Sequence, residues 1–333
     1  MDNFWKKLKL PIIGLAPMDG VTDHPARRIQ VRVARPDVMF TEFVCAEFLS
    51  AKPEKLGRRI FFSDEERPLV AQIFGHTPSA FPGIVEKIAA AGFDGIEINM
   101  GCPSRNVTKS GGGGALIGNF KLAGEIISSA VSALELSKKY MPLSVKTRIA
   151  TTPAVTREWF EFLSGFPFSA ITVHGRTLKQ GLSGPVDWSA VSTVAEIVKS
   201  RGILCLGNGG ITSLAEAREK CAAHALDGIL IGKAAVGNPW IFRENYKPGI
   251  EEILDTIIRH GALAQEFYGE RNFAAVFKHF NGYARGFDGC KHLRMELLCS
   301  KNIGDVERVI SGFVKSEKER VAVLAGSGAV PAV

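Results

Sequence analysis

Short apolar runs recur eight times in the first 235 residues, and this spacing constrains the fold more than any other feature of the chain. The runs are rich in Ile, Val and Phe and do not alternate strictly between apolar and polar residues. Such runs are typical of strands that are buried on both faces of a parallel sheet. We predict strands over residues 12–17, 38–43, 69–74, 94–99, 143–148, 169–174, 203–207 and 227–231.

Helix-like segments separate most of these strands, for example residues 78–92, 119–140 and 213–224. Eight alternations of strand and helix are the count for a TIM (β/α)8 barrel, which belongs to the α/β class. The competing architecture is a doubly wound open sheet. That fold rarely uses eight strands evenly, and no Gly-x-Gly-x-x-Gly motif follows the first predicted strand. The barrel is therefore the predicted fold.

The rest of the chain contains helical patterns only. Apolar residues recur at spacings of three and four, which predicts helices over 251–269, 272–287, 291–300 and 305–320. The sequence thus indicates a barrel domain over 1–243, a small all-helical domain over 244–322 and a flexible tail over 323–333.

Residues that are able to bind or react follow nearly every predicted strand. They are Met18, Gln72, Asn99, Cys102, Lys146, Arg148, His174, Arg176, Asn208, Gly209, Gly210, Gly232 and Lys233. In a TIM barrel the carboxyl ends of all strands converge on one face, where the active site lies. A single Lys or His at such a position would more often be structural, but agreement among seven strand ends predicts a site.

Residues 97–116 form the most specific stretch of the chain. Cys102 follows a strand end and is stiffened by Pro103, and Lys109 precedes four consecutive glycines at 111–114. A thiol beside a fixed turn and a glycine loop that we expect to be mobile suits chemistry more than packing. The alternative is a buried Cys followed by an ordinary glycine loop, since free Cys is mostly a small core residue.

Glycine turns follow the last two predicted strands, in GNGGI (207–211) and IGKAA (231–235). Their exposed backbone N–H groups favour an anion, and Lys233 adds positive charge. This pattern predicts a phosphorylated cofactor or substrate, although many sugar-phosphate enzymes share it.

Cysteine spacing and hydropathy exclude several classes of protein. None of the six Cys form a Cys-x-x-Cys pair, and no His/Cys cluster has zinc-finger spacing, so we expect no metal site. We read no signal peptide and no apolar stretch that is long enough to span a bilayer. These features predict a protein of the reducing cytoplasm with no membrane partner.

The net charge of +7 is compatible with a polyanionic partner but does not establish one. The charge is concentrated over residues 271–301, which contain six Lys or Arg and two acidic residues. One interpretation is a phosphate-binding face that consists of Lys278, His279, Arg285, Lys291, His292 and Arg294, with Tyr283 and Phe287 beside it. The other interpretation is an ordinary solvated helix surface.

Six ordered motifs resemble those of the flavin-dependent tRNA-dihydrouridine synthases. They are APMDGVTDHPARR (16–28), NMGCPSRNVTKSGGGGAL (99–116), VKTR (145–148), VHGRTLKQGLSGPVDW (173–188), GNGGI (207–211) and DGILIGKAAVGNPWIF (227–242). The match runs in order over residues 11–242, and FKHFNGYARGF (277–287) resembles the family's basic C-terminal helical segment. The resemblance implies an FMN-containing barrel that reduces selected uridines in tRNA with NADPH.

The resemblance also implies roles for individual residues. Those implied to contact the flavin ring are Pro17, Met18, Gln72, Lys146 and His174. Those implied to hold the FMN phosphate are Asn208, Gly209, Gly232 and Lys233. Asn99 and Arg176 would contact the target uracil, and Cys102 would protonate C5 after hydride transfer from flavin N5 to C6. Within this family the basic face becomes the better interpretation of the tail, with Lys278, Arg285 and Arg294 as contacts to tRNA.

Three positions depart from the family pattern. Lys233 replaces the more frequent Arg, Leu182 replaces an aromatic residue, and Gly114 stands where many members have Ser or Ala. None removes a reacting group, so they bear on substrate preference more than on activity. The alternatives are a dihydroorotate-dehydrogenase-like enzyme that acts on a free pyrimidine, a non-catalytic RNA-binding barrel and a metabolic phosphate-binding barrel. We expect a monomer.

Overall fold

The computed structural model describes residues 3–48, 56–137 and 139–326. Its nine strands form one parallel sheet: β1 (Ile12–Leu15), β2 (Met39–Phe40), β3 (Val44–Cys45), β4 (Leu69–Phe74), β5 (Gly95–Met100), β6 (Leu143–Arg148), β7 (Ala170–His174), β8 (Leu204–Asn208) and β9 (Gly228–Ile231). The strand order is β2-β1-β9-β8-β7-β6-β5-β4-β3, and pairing of β2 with β4 closes the sheet. Since β2 and β3 both pair with β4, they form one interrupted position of an eight-position barrel. The predicted TIM barrel is confirmed.

The second strand position differs from the predicted unbroken strand over 38–43. Between β2 and β3, the backbone N–H of Gln72 donates to Thr41 Oγ1 at 3.0 Å. The same hydroxyl donates to the carbonyl of Glu42 at 2.7 Å. A buried side chain therefore replaces a ladder hydrogen bond at Thr41, and the strand is interrupted there.

The barrel interior is apolar towards the amino ends of the strands. Its buried residues include Ile12, Val38, Val70 and Leu206. A 3₁₀ turn at Phe4–Lys7 adds Trp5 to this cluster. Because apolar side chains fill this part of the interior, polar groups are restricted to the carboxyl ends of the strands.

Helices cover the outside of the barrel, and their apolar faces join the largest hydrophobic core. Their bounds are His24–Val33, Leu56–Arg59, Phe81–Ala91, Arg105–Lys109, Phe120–Leu136, Pro153–Leu163, Trp188–Lys199 and Leu214–Ala223. Side chains at Asp23, Thr152, Asp187 and Ser213 accept hydrogen bonds from backbone N–H groups in the first turns of four of these helices. Further 3₁₀ turns lie at Asp64–Glu66, Pro78–Ala80, Gly113–Leu116, Lys233–Ala235 and Pro239–Phe242.

The chain divides into two compact units. One comprises residues 1–235 and 241–244, and the other comprises residues 236–240 and the chain from 245 onwards. The second unit contains the helices Ile250–Tyr268, Phe277–Tyr283, Cys290–Leu297 and Ile303–Gly326. None of the described helices combines the length and hydropathy that are needed to cross a membrane.

The helical unit differs from the expected pattern in two places. The predicted helix 272–287 is a 3₁₀ segment, Glu270–Val276, followed by a helix that ends at Tyr283. Asn272 has non-helical angles, and Gly286 has a φ of +77°. Residues 323–326, predicted as part of a flexible tail, continue the last helix, and residues 327–333 lie outside the described residues.

Candidate active site

Strand register places the predicted polar side chains in layers at the carboxyl end of the barrel. Asn99 pairs with Lys146, while Arg148, His174 and Asn208 pair in sequence across β6, β7 and β8. Partners in a parallel ladder present their side chains on the same face of the sheet. The structure therefore brings these five residues to one end of the barrel, as the strand-end pattern predicts.

Hydrogen bonds to the backbone of residues 101 and 102 fix the position of Cys102. Asn99 Oδ1 accepts hydrogen bonds from the N–H groups of Gly101, at 3.1 Å, and Cys102, at 2.9 Å. Arg148 Nε donates to the carbonyl of Gly101 at 2.7 Å. The side chain of Cys102 is half-buried, and burial raises the pKa of its thiol, while the charges of Arg148 and Lys146 oppose that rise. The thiol therefore keeps its proton at neutral pH.

The glycine run is packed against Cys102, whereas we expected a mobile loop. Gly112, Gly113 and Gly114 are buried, and Gly114 N donates to the carbonyl of Cys102 at 3.1 Å. A Cβ at Gly113 would lie 3.2 Å from Cys102 Cβ, and its φ is +56°. A Cβ at Gly114 would lie 2.3 Å from Leu178 Cδ1. The run lacks side chains because the Cys102 segment and Leu178 occupy that space.

Three cations surround His174. Arg176 Nη1 lies 3.3 Å from His174 Nε2. Burial, followed by the charges of Lys146, Arg148 and Arg176, lowers the pKa of His174 to about 2. The ring is therefore neutral, and because Nε2 faces a donor, Nδ1 carries the hydrogen. Arg176 is fixed in turn by Nε, which donates to the carbonyl of Gly184.

Lys146, which is partly exposed, and the fully buried Glu97 act on each other through charge, and no direct ion pair joins them within the described residues. Burial and the charge of Arg148 lower the pKa of Lys146, and Glu97 opposes that shift. Nζ of Lys146 has no protein hydrogen-bond partner in the described part of the chain. Glu97 is fully buried, burial raises the pKa of its carboxyl to about 7, and Oε1 has no hydrogen-bond partner among the described residues.

Sequence reasoning missed Glu97. The available signal was an acidic residue in the run DGIEIN, a strand predicted to be buried on both faces. Its carboxylate accepts a hydrogen bond from Gln72 Nε2 at 2.6 Å, and Gln72 Oε1 accepts from Asn99 Nδ2 at 3.0 Å. Gln72 is therefore in the site, but only one of its amide hydrogens is left for another partner.

The two glycine turns leave exposed backbone at the ends of β8 and β9. Asn208 Nδ2 donates to the carbonyl of Leu230 at 2.8 Å, which ties the two strand ends together. Gly209 has a φ of +123°, and a Cβ there would lie 2.8 Å from His174 Cδ2. A Cβ at Gly232 would come no closer than 3.6 Å to any atom, so this backbone is open to a ligand. Lys233 is exposed beside it.

The segment after β1 is anchored by a buried ionic network. Pro17 and Met18 are partly exposed, and Met18 N donates to Thr22 Oγ1 at 3.0 Å. Arg27 Nη1 donates to the carbonyl of Thr22, and Arg27 Nε pairs with Glu66, both at 2.6 Å. Sequence reasoning did not identify Arg27 or Glu66 as supports of this segment.

The predicted basic face lies in the helical unit. Arg285 is exposed, and Lys278 and Arg294 are partly exposed. His279 and Tyr283 are buried, so their expected place on this face was wrong. Tyr283 Oη lies 2.9 Å from Nδ1 of the buried His260, so these rings form the core of this unit instead. Apolar packing on that side of the helix explains their burial.

Among the described residues, no three His, Cys, Asp or Glu side chains are arranged to hold a metal ion.

The chain is similar to known proteins over most of its length. The dihydrouridine synthase (Dus) family model matches residues 14–312. A probable tRNA-dihydrouridine synthase of Staphylococcus epidermidis is 32% identical over 322 residues, which cover 94% of this chain and 96% of that protein. The probable tRNA-dihydrouridine synthase 2 of Bacillus subtilis is 31% identical over 321 residues, 94% of this chain and 97% of that protein.

A solved structure supports the architecture alone. DHODH from Eimeria tenella, in complex with ferulenol, aligns with a TM-score of 0.52 and 13% identity. The alignment covers 78% of this chain and 85% of that chain.

Proposed function

The chain belongs to the dihydrouridine synthase family, and from this premise we propose its reaction. It reduces the C5–C6 double bond of selected uridines in tRNA, with FMN as the bound cofactor and NADPH as the reductant. The names of the curated relatives support tRNA as the substrate. The observation that carries the proposal is the half-buried thiol of Cys102, which follows a strand end and whose backbone is held by Asn99 and, through Gly101, by Arg148.

The residues present fit FMN. The amine of Lys146 has no protein partner within the described residues, and Gly232 leaves backbone open beside the exposed Lys233. The proposed ring contacts are Pro17, Met18, Gln72, Lys146 and His174. The proposed phosphate contacts are Asn208, Gly209, Gly232 and Lys233. When bound, FMN supplies the hydride that adds to C6 of uracil.

Cys102 supplies the proton. As uracil gains negative charge, the S–H bond of Cys102 breaks and a C–H bond forms at C5, which leaves a thiolate. Burial keeps the thiol protonated beforehand, and the charges of Arg148 and Lys146 stabilise the thiolate afterwards. Solvent then returns the proton to sulfur. A thiol with these neighbours is suited to a general acid.

Asn99 and Arg176 offer donors to the base. Asn99 Oδ1 and one amide hydrogen are already used, so one N–H remains. Arg176 uses Nε on Gly184 and one Nη1 hydrogen on His174, so its other Nη hydrogens remain. Donors of this kind match the two carbonyl oxygens of uracil. The target base must leave its stack to reach them, which costs less in an irregular loop than in a duplex.

The test compares wild type with Cys102→Ala, with Cys299→Ala as the matched control because Cys299 is exposed. The visible spectrum reports flavin, and NADPH oxidation is followed with and without unmodified tRNA. We expect flavin absorbance in all three proteins. We expect dihydrouridine formation to fall about 100-fold or more in Cys102→Ala alone, because a general acid contributes about 10²–10⁴-fold.

Two outcomes contradict the proposal. A colourless protein that FMN does not reconstitute would exclude the cofactor. A yellow protein that ignores tRNA and turns over a free pyrimidine would move the activity to the dehydrogenase alternative.

A further inference from the structure

A chain of hydrogen bonds leads from the buried Glu97 to the backbone of Cys102. Glu97 Oε2 accepts from Gln72 Nε2 at 2.6 Å, and Gln72 Oε1 accepts from Asn99 Nδ2 at 3.0 Å. Asn99 Oδ1 then accepts from the N–H of Cys102 at 2.9 Å. We call Glu97, Gln72 and Asn99 the amide relay.

The relay has a direction that its first member imposes. Burial raises the pKa of Glu97 to about 7, and the charge of Lys146 and the hydrogen bond from Gln72 favour the carboxylate. In this ionised form the side chain only accepts hydrogen bonds, so Gln72 turns its NH₂ towards Glu97. The carbonyl of Gln72 then faces Asn99, which donates a hydrogen bond to it from its own NH₂. The carbonyl of Asn99 is left facing the N–H groups of Gly101 and Cys102. If the amide of Asn99 were reversed, its NH₂ would face the N–H of Cys102, and two donors would oppose each other.

We propose that Glu97 is a positioning residue for Cys102, acting as the acceptor-only end of the amide relay. The inference rests on the proposed function only for the consequence in turnover, because the orientation of Cys102 is measurable without it. Glu97 is fully buried, and burying a carboxylate is costly. In return, the carboxylate fixes the orientation of the Gln72 and Asn99 amides, which would otherwise be able to lie in either of two orientations.

Glu97 also acts on Lys146 through charge. Its carboxylate favours the protonated amine, against burial and Arg148. The register places Lys146 beside Asn99, on the face that the relay occupies. Loss of the carboxylate therefore removes orientation from Cys102 and positive charge from the cofactor side of the site.

The test is the rate of alkylation of Cys102 as a function of pH, measured on the purified holoprotein by mass spectrometry of the peptide. Iodoacetamide is the probe, and the exposed Cys299 is the internal reference. In Glu97→Gln the relay loses its direction, so the Cys102 segment loosens and its thiol loses burial. The gain of solvation lowers the thiol pKa by more than the weaker charge of Lys146 raises it, because burial is the largest cause of the shift at Cys102 and Lys146 is a lesser one. We therefore expect alkylation near neutral pH to be about five- to tenfold faster.

Turnover gives a second readout. We expect kcat for tRNA reduction to fall about tenfold in Glu97→Gln, because the proton donor is misplaced and Lys146 loses positive charge. We expect KM for tRNA to be unchanged, because the proposed phosphate contacts of the helical unit stay intact. Ser144→Ala is the matched control. Ser144 is buried, pairs with Glu97 in register and bonds to the carbonyl of Ile96, outside the relay. We expect wild-type alkylation and kcat in that variant.

A double variant distinguishes the hydrogen-bond direction of the amide relay from the packing of its side chains. In Gln72→Glu/Glu97→Gln, an acceptor-only carboxylate at position 72 again faces the NH₂ of Asn99. We expect the alkylation rate of Cys102 to return to within about twofold of wild type, since the same thiolate fraction is restored. Because Gln72 is also a proposed flavin contact, the comparison is made on double-variant protein that carries wild-type flavin absorbance.

The outcomes divide cleanly. Wild-type alkylation and kcat in Glu97→Gln, or equal changes in Ser144→Ala, would overturn the inference. If Glu97→Gln does not fold, Glu97→Asp keeps the charge but shortens the side chain, and unchanged alkylation there would overturn it as well. A wild-type protein without tRNA reductase activity would contradict the proposed function alone, since the alkylation comparison still decides the relay.

Discussion

Single residues in this site carry several contacts at once. Asn99 accepts from two backbone N–H groups and donates to Gln72, so its orientation is determined on both sides. Arg148 donates to Gly101 and also to the carbonyl of Gly181, at 2.8 Å. It thereby links the Cys102 segment to the loop after β7. A substitution at either residue disturbs two segments, not one.

His260 makes stability depend on pH. It is buried, and burial together with His279 and Lys278 lowers its pKa well below the usual histidine value. When the pH is below that usual value, His260 binds a proton in the unfolded chain but not in the folded chain. The free energy of unfolding therefore decreases as the pH is lowered, by up to about 1.4 kcal/mol per pH unit. We expect His260→Gln to lose less stability between neutral and acidic pH, measured by urea unfolding.

The control for His260 is His292→Gln. His292 is exposed in the same unit, so we expect this variant to follow the wild-type pH dependence. Equal pH dependence in wild type and His260→Gln would show that His260 does not contribute.

At the scale of elements, glycines determine which segments can approach. Helix Phe277–Tyr283 and the turn at 236–240 belong to the same unit and meet at two glycines, Gly282 and Gly237. A Cβ at Gly282 would lie 2.5 Å from the carbonyl oxygen of Val236 and 2.7 Å from Gly237 Cα. These are backbone atoms, which cannot turn aside as a side chain can.

Two Gly→Ala variants test this contact because both positions are helical. Gly312 lies in helix Ile303–Gly326, and a Cβ at this position would have no described atom within 4 Å. We expect Gly312→Ala to raise the free energy of unfolding by about 0.5–1 kcal/mol through helix propensity. We expect Gly282→Ala to lower it by about 2 kcal/mol because the contact is overpacked. Guanidinium chloride midpoints at constant m-value measure both.

A gain in stability in Gly282→Ala would mean that the helix and the turn are able to separate without cost. The close backbone approach would then be incidental to the stability of the helical unit.

At the scale of the whole molecule, the proposed function requires the protein to bind a polyanionic tRNA as well as to reduce it. The barrel carries the chemistry, and we propose that Lys278, Arg285 and Arg294 of the helical unit contribute phosphate contacts. Arg285 is exposed, and its Nε donates to the carbonyl of Asn281 at 2.8 Å. This bond uses one of the five guanidinium N–H groups, so the Nη donors remain for a phosphate.

Salt dependence tests this proposal. Each phosphate contact that is lost reduces the slope of log Kd against log salt by about one. We expect Arg285→Ala to weaken tRNA binding and to reduce that slope, measured by titration over a range of NaCl concentrations. Arg157→Ala is the control, since Arg157 is an exposed helical Arg of the barrel that lies 3.6 Å from Glu161. An unchanged slope in Arg285→Ala would remove this residue from the interface.

Much of the fold and part of the site were predictable from the sequence. Strands 69–74 and 143–148 match β4 and β6 residue for residue, because buried parallel strands are continuous apolar runs between turn signals. Cys102, Lys146 and His174 were identifiable because they lie at or just after strand ends. The interruption at Thr41 was not predictable, since it depends on a hydrogen bond to Gln72, which is 31 residues away in the chain.

By itself the sequence determined the barrel, the family and the set of reactive side chains at strand ends. Those properties follow from local periodicity and from motifs, which are contiguous in the chain. Only the tertiary structure decided that Glu97 bonds to Gln72, that the glycine run packs on Cys102 and that His279 and Tyr283 are buried. The physical reason is that burial and hydrogen-bond direction depend on neighbours from other strands and helices, which local sequence does not specify.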